Sequence, residues 1–143
     1  MKINRLTDAI SVSAQITPLD VSEVSQAGFK TIINNRPDGE AADQPETALI
    51  KAAAEQAGLV FVDLPFTAGQ QTAQDVQAFA EALASQPGPV FAYCRSGMRS
   101  TSIWAMSQAP KLTSDALVAT AAGAGYDIGP LRPLLDAIRN ANA

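Results

Sequence analysis

The sequence holds one strong nucleophile of its kind, a single cysteine, Cys94, within Val90-Phe91-Ala92-Tyr93-Cys94-Arg95-Ser96-Gly97-Met98-Arg99-Ser100. A thiol attacks as its thiolate, and the thiolate is favoured where backbone N–H groups converge on a helix N-terminus and where cationic side chains stand close. A short apolar strand-like run leads into Cys94, and a glycine turn at Gly97 with two arginines, Arg95 and Arg99, follows it. This pattern predicts a cradle of amides over Arg95, Ser96, Gly97 and Met98 that holds a small oxyanion. Arg99 is spaced to fold back and offer its planar fork to that anion, a task for which lysine is a poor substitute. Ser100 is expected to donate to the Cys94 sulfur, to cap the helix that follows, or both. The competing reading, a buried apolar filler, does not call for two arginines and a glycine turn beside the thiol. For Arg95 alone, an ordinary surface charge is an equal alternative.

The rest of the composition limits the chemistry. There is no histidine, so a Ser-His-Asp triad and a Cys/His zinc site lack parts, and one cysteine allows no internal disulfide. No metal and no cofactor is expected. Proton transfer falls to carboxylates, the thiol, tyrosine, lysine or water. Asp63 lies in an otherwise apolar strand, where a carboxylate must find partners or shift its pKa upward, and it is the expected catalytic acid. Asp38 and Glu40 are further candidates, although an Asp38-Gly39 pair is also ordinary turn chemistry and a solvated turn is the favoured reading there.

The surrounding pattern predicts the elements that position this stretch. Residues 10–16 alternate apolar and polar with period two, which predicts an edge strand with one wet face. Thr17-Pro18-Leu19-Asp20 starts a short helix that Gly28 ends. Phe29-Lys30-Thr31-Ile32-Ile33-Asn34 reads as a strand feeding the polar loop Asn34-Asn35-Arg36-Pro37-Asp38-Gly39-Glu40. Residues 45–57 form an alanine-rich helix closed by Gly58. Residues 59–66 form a third strand, apolar on both parities apart from Asp63, and so covered on both faces. Thr72 with Asp75 opens a helix whose Val76, Phe79, Ala80 and Leu83 share one stripe. After Cys94, residues 103–109, 113–122 and 130–140 read as helices with no strand among them, and Trp104, Tyr126 and the leucines of the last helix read as core. Strands alternating with helices imply a three-layer α/β domain: a mainly parallel sheet of four or five strands flanked by helices, with an all-helical C-terminal third.

A length of 143 residues suits one domain, residues 1–143, and a hydrophobic fraction of 47% with 17% charged residues excludes disordered and fibrous classes. A net charge of -4 with no basic block argues against nucleic acid. No run approaches the roughly 20 apolar residues of a membrane span, and the first residues lack the apolar run of a secretory signal, so a cytoplasmic address is expected.

The strand, Cys-x-x-Gly, arginine followed by serine, and the helical tail together resemble the cysteine-dependent protein phosphatases of the dual-specificity type. More closely, the chain resembles the small bacterial family of phosphatase-like domains also found fused to metallo-β-lactamase-like hydrolases. The resemblance runs through residues 10–16 and the following helix, Thr31-Ile32-Ile33-Asn34-Asn35-Arg36-Pro37-Asp38-Gly39-Glu40, residues 58–66 and the cysteine loop. It implies a protein tyrosine phosphatase-like fold, Cys94 as nucleophile through a phosphocysteine, and Arg99 with the loop amides around a phosphoester. It further implies Asn35, Arg36 and Asp38 at the substrate site, and a functional link to a metallo-β-lactamase-like hydrolase. Three departures stand out. Arg99 comes one residue earlier than in those phosphatases, with Ser100 in the usual arginine position, and this is the loop length of rhodanese-like sulfurtransferases. Tyr93 replaces the histidine before the nucleophile. The loop Thr67-Ala68-Gly69-Gln70-Gln71 lacks the general-acid aspartate. Three functions therefore stay open: phosphatase-like hydrolase, sulfurtransferase carrying a persulfide on Cys94, and a non-catalytic oxyanion-binding module.

Overall fold

The computed structural model describes residues 1–143. Five strands form one sheet in the order β1-β2-β5-β3-β4: β1 Asn4–Arg5, β2 Ile10–Ser13, β3 Thr31–Asn34, β4 Val60–Asp63 and β5 Val90–Tyr93. All pairs are parallel except β1 with β2. Helices α1 (Val21–Gln26) and α2 (Thr47–Gln56) cover one face; α3 (Ala73–Ser85), α4 (Met98–Gln108), α5 (Ser114–Gly123) and α6 (Arg132–Ala141) cover the other. This is the mainly parallel three-layer α/β arrangement with an all-helical C-terminal third.

Side-chain alternation along each strand divides the core between the two faces. Ile32, Phe91 and Tyr93 face α1 and α2; Ile33, Val90 and Ala92 face the larger helical layer. Phe91 meets Phe29 edge to face at 5.4 Å. Helix α4 is buried along most of its length, with Ile103, Trp104, Ala105 and Met106 all 3% exposed or less. Each such large apolar side chain contributes about 1.5–3 kcal/mol on burial, so the helix that begins right after the Cys94 loop is anchored by the core itself.

Four boundaries differ from the sequence expectation. The strand at residues 10–16 is not an edge: β1 pairs outside it, and all four residues of β2 are buried. Its serines are small enough to sit under helices, and Ser13 Oγ donates to the Ala14 carbonyl at 2.9 Å. The strand at residues 59–66 is instead an edge, with Val60 and Asp63 exposed, because the β3-α2-β4 crossover places β4 outside β3 and no strand pairs on its far side. Helix α4 starts at Met98, earlier than residue 103, across a run of poor helix formers. The hydroxyls there back-bond to the preceding turn, Thr101 to the Gly97 carbonyl at 2.7 Å and Ser102 to the Met98 carbonyl at 2.8 Å. Leu134 is exposed, while Leu135 is core. No helix is long and apolar enough to cross a membrane.

The register matters for the site. Asn34 pairs with both Asp63 and Tyr93, so β3, β4 and β5 end level, and the loops that follow them gather at one rim. That rim is where open α/β sheets bind ligands.

Candidate active site

Cys94 follows β5 directly and is 1% exposed. The Gly97 N–H donates to its Sγ at 3.1 Å. Gly97 has φ +95°, and a Cβ built there would overlap the phenol oxygen of Tyr126 and lie 2.8 Å from its Cζ. Only glycine meets both demands. Tyr126 donates to the Ser96 carbonyl at 3.0 Å and accepts from Asn4 Nδ2 at 2.9 Å, tying the loop to β1. Burial raises the Tyr126 phenol above its ordinary pKa, an Asn4 hydrogen bond opposes this, and charge on Cys94 adds to it, so the group stays a neutral donor. The Met98 amide turns to Ser96 Oγ at 3.2 Å. The amides of Arg95, Ser96 and Arg99 make no hydrogen bond within the chain, which leaves the orphan donors of a helix start beside the sulfur.

These groups line a cleft of about 370 Å³. One wall is Cys94, Arg95, Ser96, Met98, Arg99 and Ser102; the other is Phe66, Ala68, Gly69 and Gln71 from the loop after β4. No carboxylate lines it.

Arg99 is held end-on by Glu40: Nη1 donates to Oε2 at 3.0 Å and Nη2 to Oε1 at 3.1 Å. Its Nη1 also donates to the Phe66 carbonyl at 3.1 Å. Its Nε is buried without a partner. The three bonds leave the Nε–H and one Nη2 hydrogen, the side-on edge of the guanidinium, free. Glu40 is therefore no solvated turn residue. Its carboxyl is held below the usual carboxylate range, chiefly by Arg99 and further by Arg36, against a burial that pushes it the other way. Two guanidiniums share this one carboxylate, which leaves one positive charge in excess at the cleft edge.

Other residues anticipated at the site hold the walls rather than line the cleft. Asp63 accepts from Asn34 Nδ2 at 2.9 Å, on the sheet face of α1 and α2 and away from the cleft. Strand parity puts it there, exposed at the end of the edge strand rather than buried in an apolar one. Asn34 in turn pins the backbone of Arg36, taking its N–H and donating to its carbonyl, each at 2.8 Å. Asn35 donates to the Leu64 carbonyl at 3.0 Å and accepts from Ser100 Oγ at 2.8 Å. Ser100 thus turns into the core, away from Cys94. Asp38 caps α2, accepting from the Thr47 amide at 2.9 Å and its hydroxyl at 2.7 Å. Tyr93 points into the α1 and α2 side of the core, where burial first, then the Asp63 and Asp38 carboxylates, push its phenol far above its ordinary pKa.

Residues 2–111 match the family described as "Beta-lactamase hydrolase-like protein, phosphatase-like domain". The chain belongs to this family. The beta-lactamase hydrolase-like protein of Agrobacterium fabrum is 36% identical over 109 residues, covering 76% of this chain and 25% of that protein. The chain spans between a quarter and a third of the length of the curated relatives it matches. A crystal structure from Neisseria meningitidis, of a protein described as a candidate phosphatase, superposes with a TM-score of 0.88 at 37% identity, covering 97% of this chain and 99% of that one. The structure of PTPMT1 superposes with a TM-score of 0.76 at 13% identity over 99% of this chain and 96% of that one, a likeness of fold. The family member described here is a phosphatase-like domain with the cysteine-phosphatase fold. Within it, Glu40, a candidate acid from the sequence, instead grips Arg99, and Tyr126, read from the sequence as core, holds the cysteine loop through its phenol. An acid four residues after Arg36 is the legible signal for the first of these.

Proposed function

We propose that this domain is a cysteine-dependent phosphatase-type hydrolase acting on a phosphoester through a phosphocysteine on Cys94. The observation that carries the reading is the side-on edge of Arg99, free and buried beside the cleft while Glu40 fixes the other edge. A fork of this kind takes two oxygens of a tetrahedral anion, and the excess positive charge shared by Arg36 and Arg99 calls for a counter-ion. In the step proposed, the Cys94 thiolate forms a bond to phosphorus, the phosphorus–oxygen ester bond breaks, and the leaving oxygen departs with the electron pair. Arg99 and the amides of Arg95 and Ser96 carry the charge on the equatorial oxygens. Water then attacks phosphorus, the sulfur–phosphorus bond breaks with its electron pair returning to the thiolate, and the water's proton is lost to phosphate or solvent. With no carboxylate lining the cleft, the leaving group departs as an anion, so aryl phosphates are better substrates than alkyl ones.

A second reading, transfer of a sulfane sulfur through a Cys94 persulfide, has specific support in the same absence of an acid and in the short loop, where Ser100 faces Asn35 instead of the anion. Such a transfer breaks a sulfur–sulfur bond and needs no protonated oxygen. A non-catalytic oxyanion-binding role is the remaining alternative. A functional link to a beta-lactamase hydrolase-like partner has its support in the relatives' names alone.

Intact mass after incubation with an aryl phosphate, and separately with thiosulfate, separates the readings. Hydrolysis that Cys94→Ser abolishes, with no sulfur adduct on the parent, is the expected result. One added sulfur and no hydrolysis would replace the phosphatase by the transferase, and oxyanion binding without either would leave the binding module. Arg99→Lys keeps the charge and loses the fork, and should cost about 100-fold or more in kcat/KM.

A further inference from the structure

Arg36 is 4% exposed and does not line the cleft. A guanidinium at such depth costs several kcal/mol unless it is well paired, and its only carboxylate, Glu40, is already shared with Arg99. Its bonds run in two directions. Nε donates to Glu40 Oε1 at 3.0 Å, the oxygen that also receives Arg99 Nη2. Nη1 donates to Gln15 Oε1 at 3.1 Å, and the Gln15 amide donates to the Arg95 carbonyl, next to Cys94, at 3.2 Å. Arg36 therefore joins the carboxylate that aims Arg99 to the segment that carries the sulfur. Its own backbone is clamped at both N–H and C=O by Asn34, which Asp63 fixes in turn. A residue pinned this firmly makes a rigid reference for both walls. Without it the Glu40–Arg99 pair keeps its own two bonds but loses its tie to the segment that carries the sulfur, so the pair can shift as a unit relative to Cys94.

We propose that Arg36 is a positioning residue: through Glu40 and Gln15 it sets the angle between the free edge of Arg99 and the Cys94 sulfur, without touching the oxyanion. The proposal rests on the reading of Arg99 as the oxyanion fork. It also replaces the expectation that Arg36 meets the substrate.

Orthovanadate binding and the KM and kcat for an aryl phosphate provide the test, on the parent, Arg36→Met, Glu40→Gln and the double variant. Each single change should weaken orthovanadate about 10–100-fold, as loss of an orienting partner does elsewhere. The double variant should be no weaker than Glu40→Gln alone, because both act on one device. Arg36→Lys should recover part of the loss. Additive losses would mean that Arg36 acts independently of Glu40, and an unchanged orthovanadate affinity in an Arg36→Met protein of lower melting temperature would reduce Arg36 to packing; either overturns the proposal. If Arg36→Met does not fold, Gln15→Ala and its combination with Glu40→Gln decide, non-additive loss supporting the proposal and additive loss overturning it. A parent that binds no orthovanadate overturns the oxyanion reading itself, before any substitution is made, and this proposal with it.

Discussion

The loop after β5 and the loop after β3 leave the same rim of the sheet and dispose of their polar groups in opposite ways. Around Cys94, amides at Arg95, Ser96 and Arg99 and one edge of the Arg99 guanidinium have no partner in the chain. Between residues 34 and 47, nearly every polar side chain is bonded to a neighbour: Asn34 to Arg36, Arg36 to Glu40, Asp38 to Thr47, and Gln44 to the Glu40 amide and the Pro37 carbonyl. Unpaired donors beside a cleft are a demand for an anion, and a closed network is a support for the group that meets it. The difference predicts that the donors of the first loop act on the anion directly, whereas the polar groups of the second act on stability and, through Glu40, on the aim of Arg99.

Gly97→Ala should break the open loop most severely. The left-handed backbone costs a side chain about 1–2 kcal/mol, and the overlap with Tyr126 adds a comparable amount, so a loss of about 3 kcal/mol in urea unfolding is expected. Adding Tyr126→Ala removes the overlap but leaves the backbone cost. The double variant should therefore be more stable than the sum of the two singles by about 1 kcal/mol or more. Strict additivity would show that the loop moves off Tyr126 without strain.

This contrast explains what the sequence made legible. Strand-helix alternation and the Thr72 and Asp75 capping box are local, and they appear as read, with Thr72 and Asp75 bonded in both directions. The edge strand differs because pairing order and layering are long-range properties: the serines in β2 look solvent-facing until a helical layer is known to cover that face and β1 to pair outside the strand. Asn35 and Asp38 of the second loop, and Asp63 at the end of β4, have the types a site needs, and only the partners brought in from α4, α2 and β3 show what each one holds.

Asp38→Ala tests the closed loop at its simplest point. Two bonds to Thr47 are lost at the N-terminus of α2, and caps of this kind contribute about 1 kcal/mol, so the melting temperature should fall while KM for an aryl phosphate holds near the parent value. A rise in KM with no loss of stability would restore Asp38 to the substrate site.

The smallest expected effect lies where the two loops meet. Arg99, then Arg36, hold the Glu40 carboxyl below its ordinary pKa, so the folded chain releases this proton more readily than the unfolded one. Such a group contributes stability in full above its unfolded value, about 4.3, and the contribution is lost as the pH falls through the lowered folded value. The difference in melting temperature between the parent and Glu40→Gln should hold steady from neutral pH down to that region and close below it. Added salt should narrow the difference at neutral pH, because Glu40 is 24% exposed and part of its attraction passes through solvent. A difference that stays open in acid would place the stabilisation in packing, and one that widens would reverse the sign of the coupling.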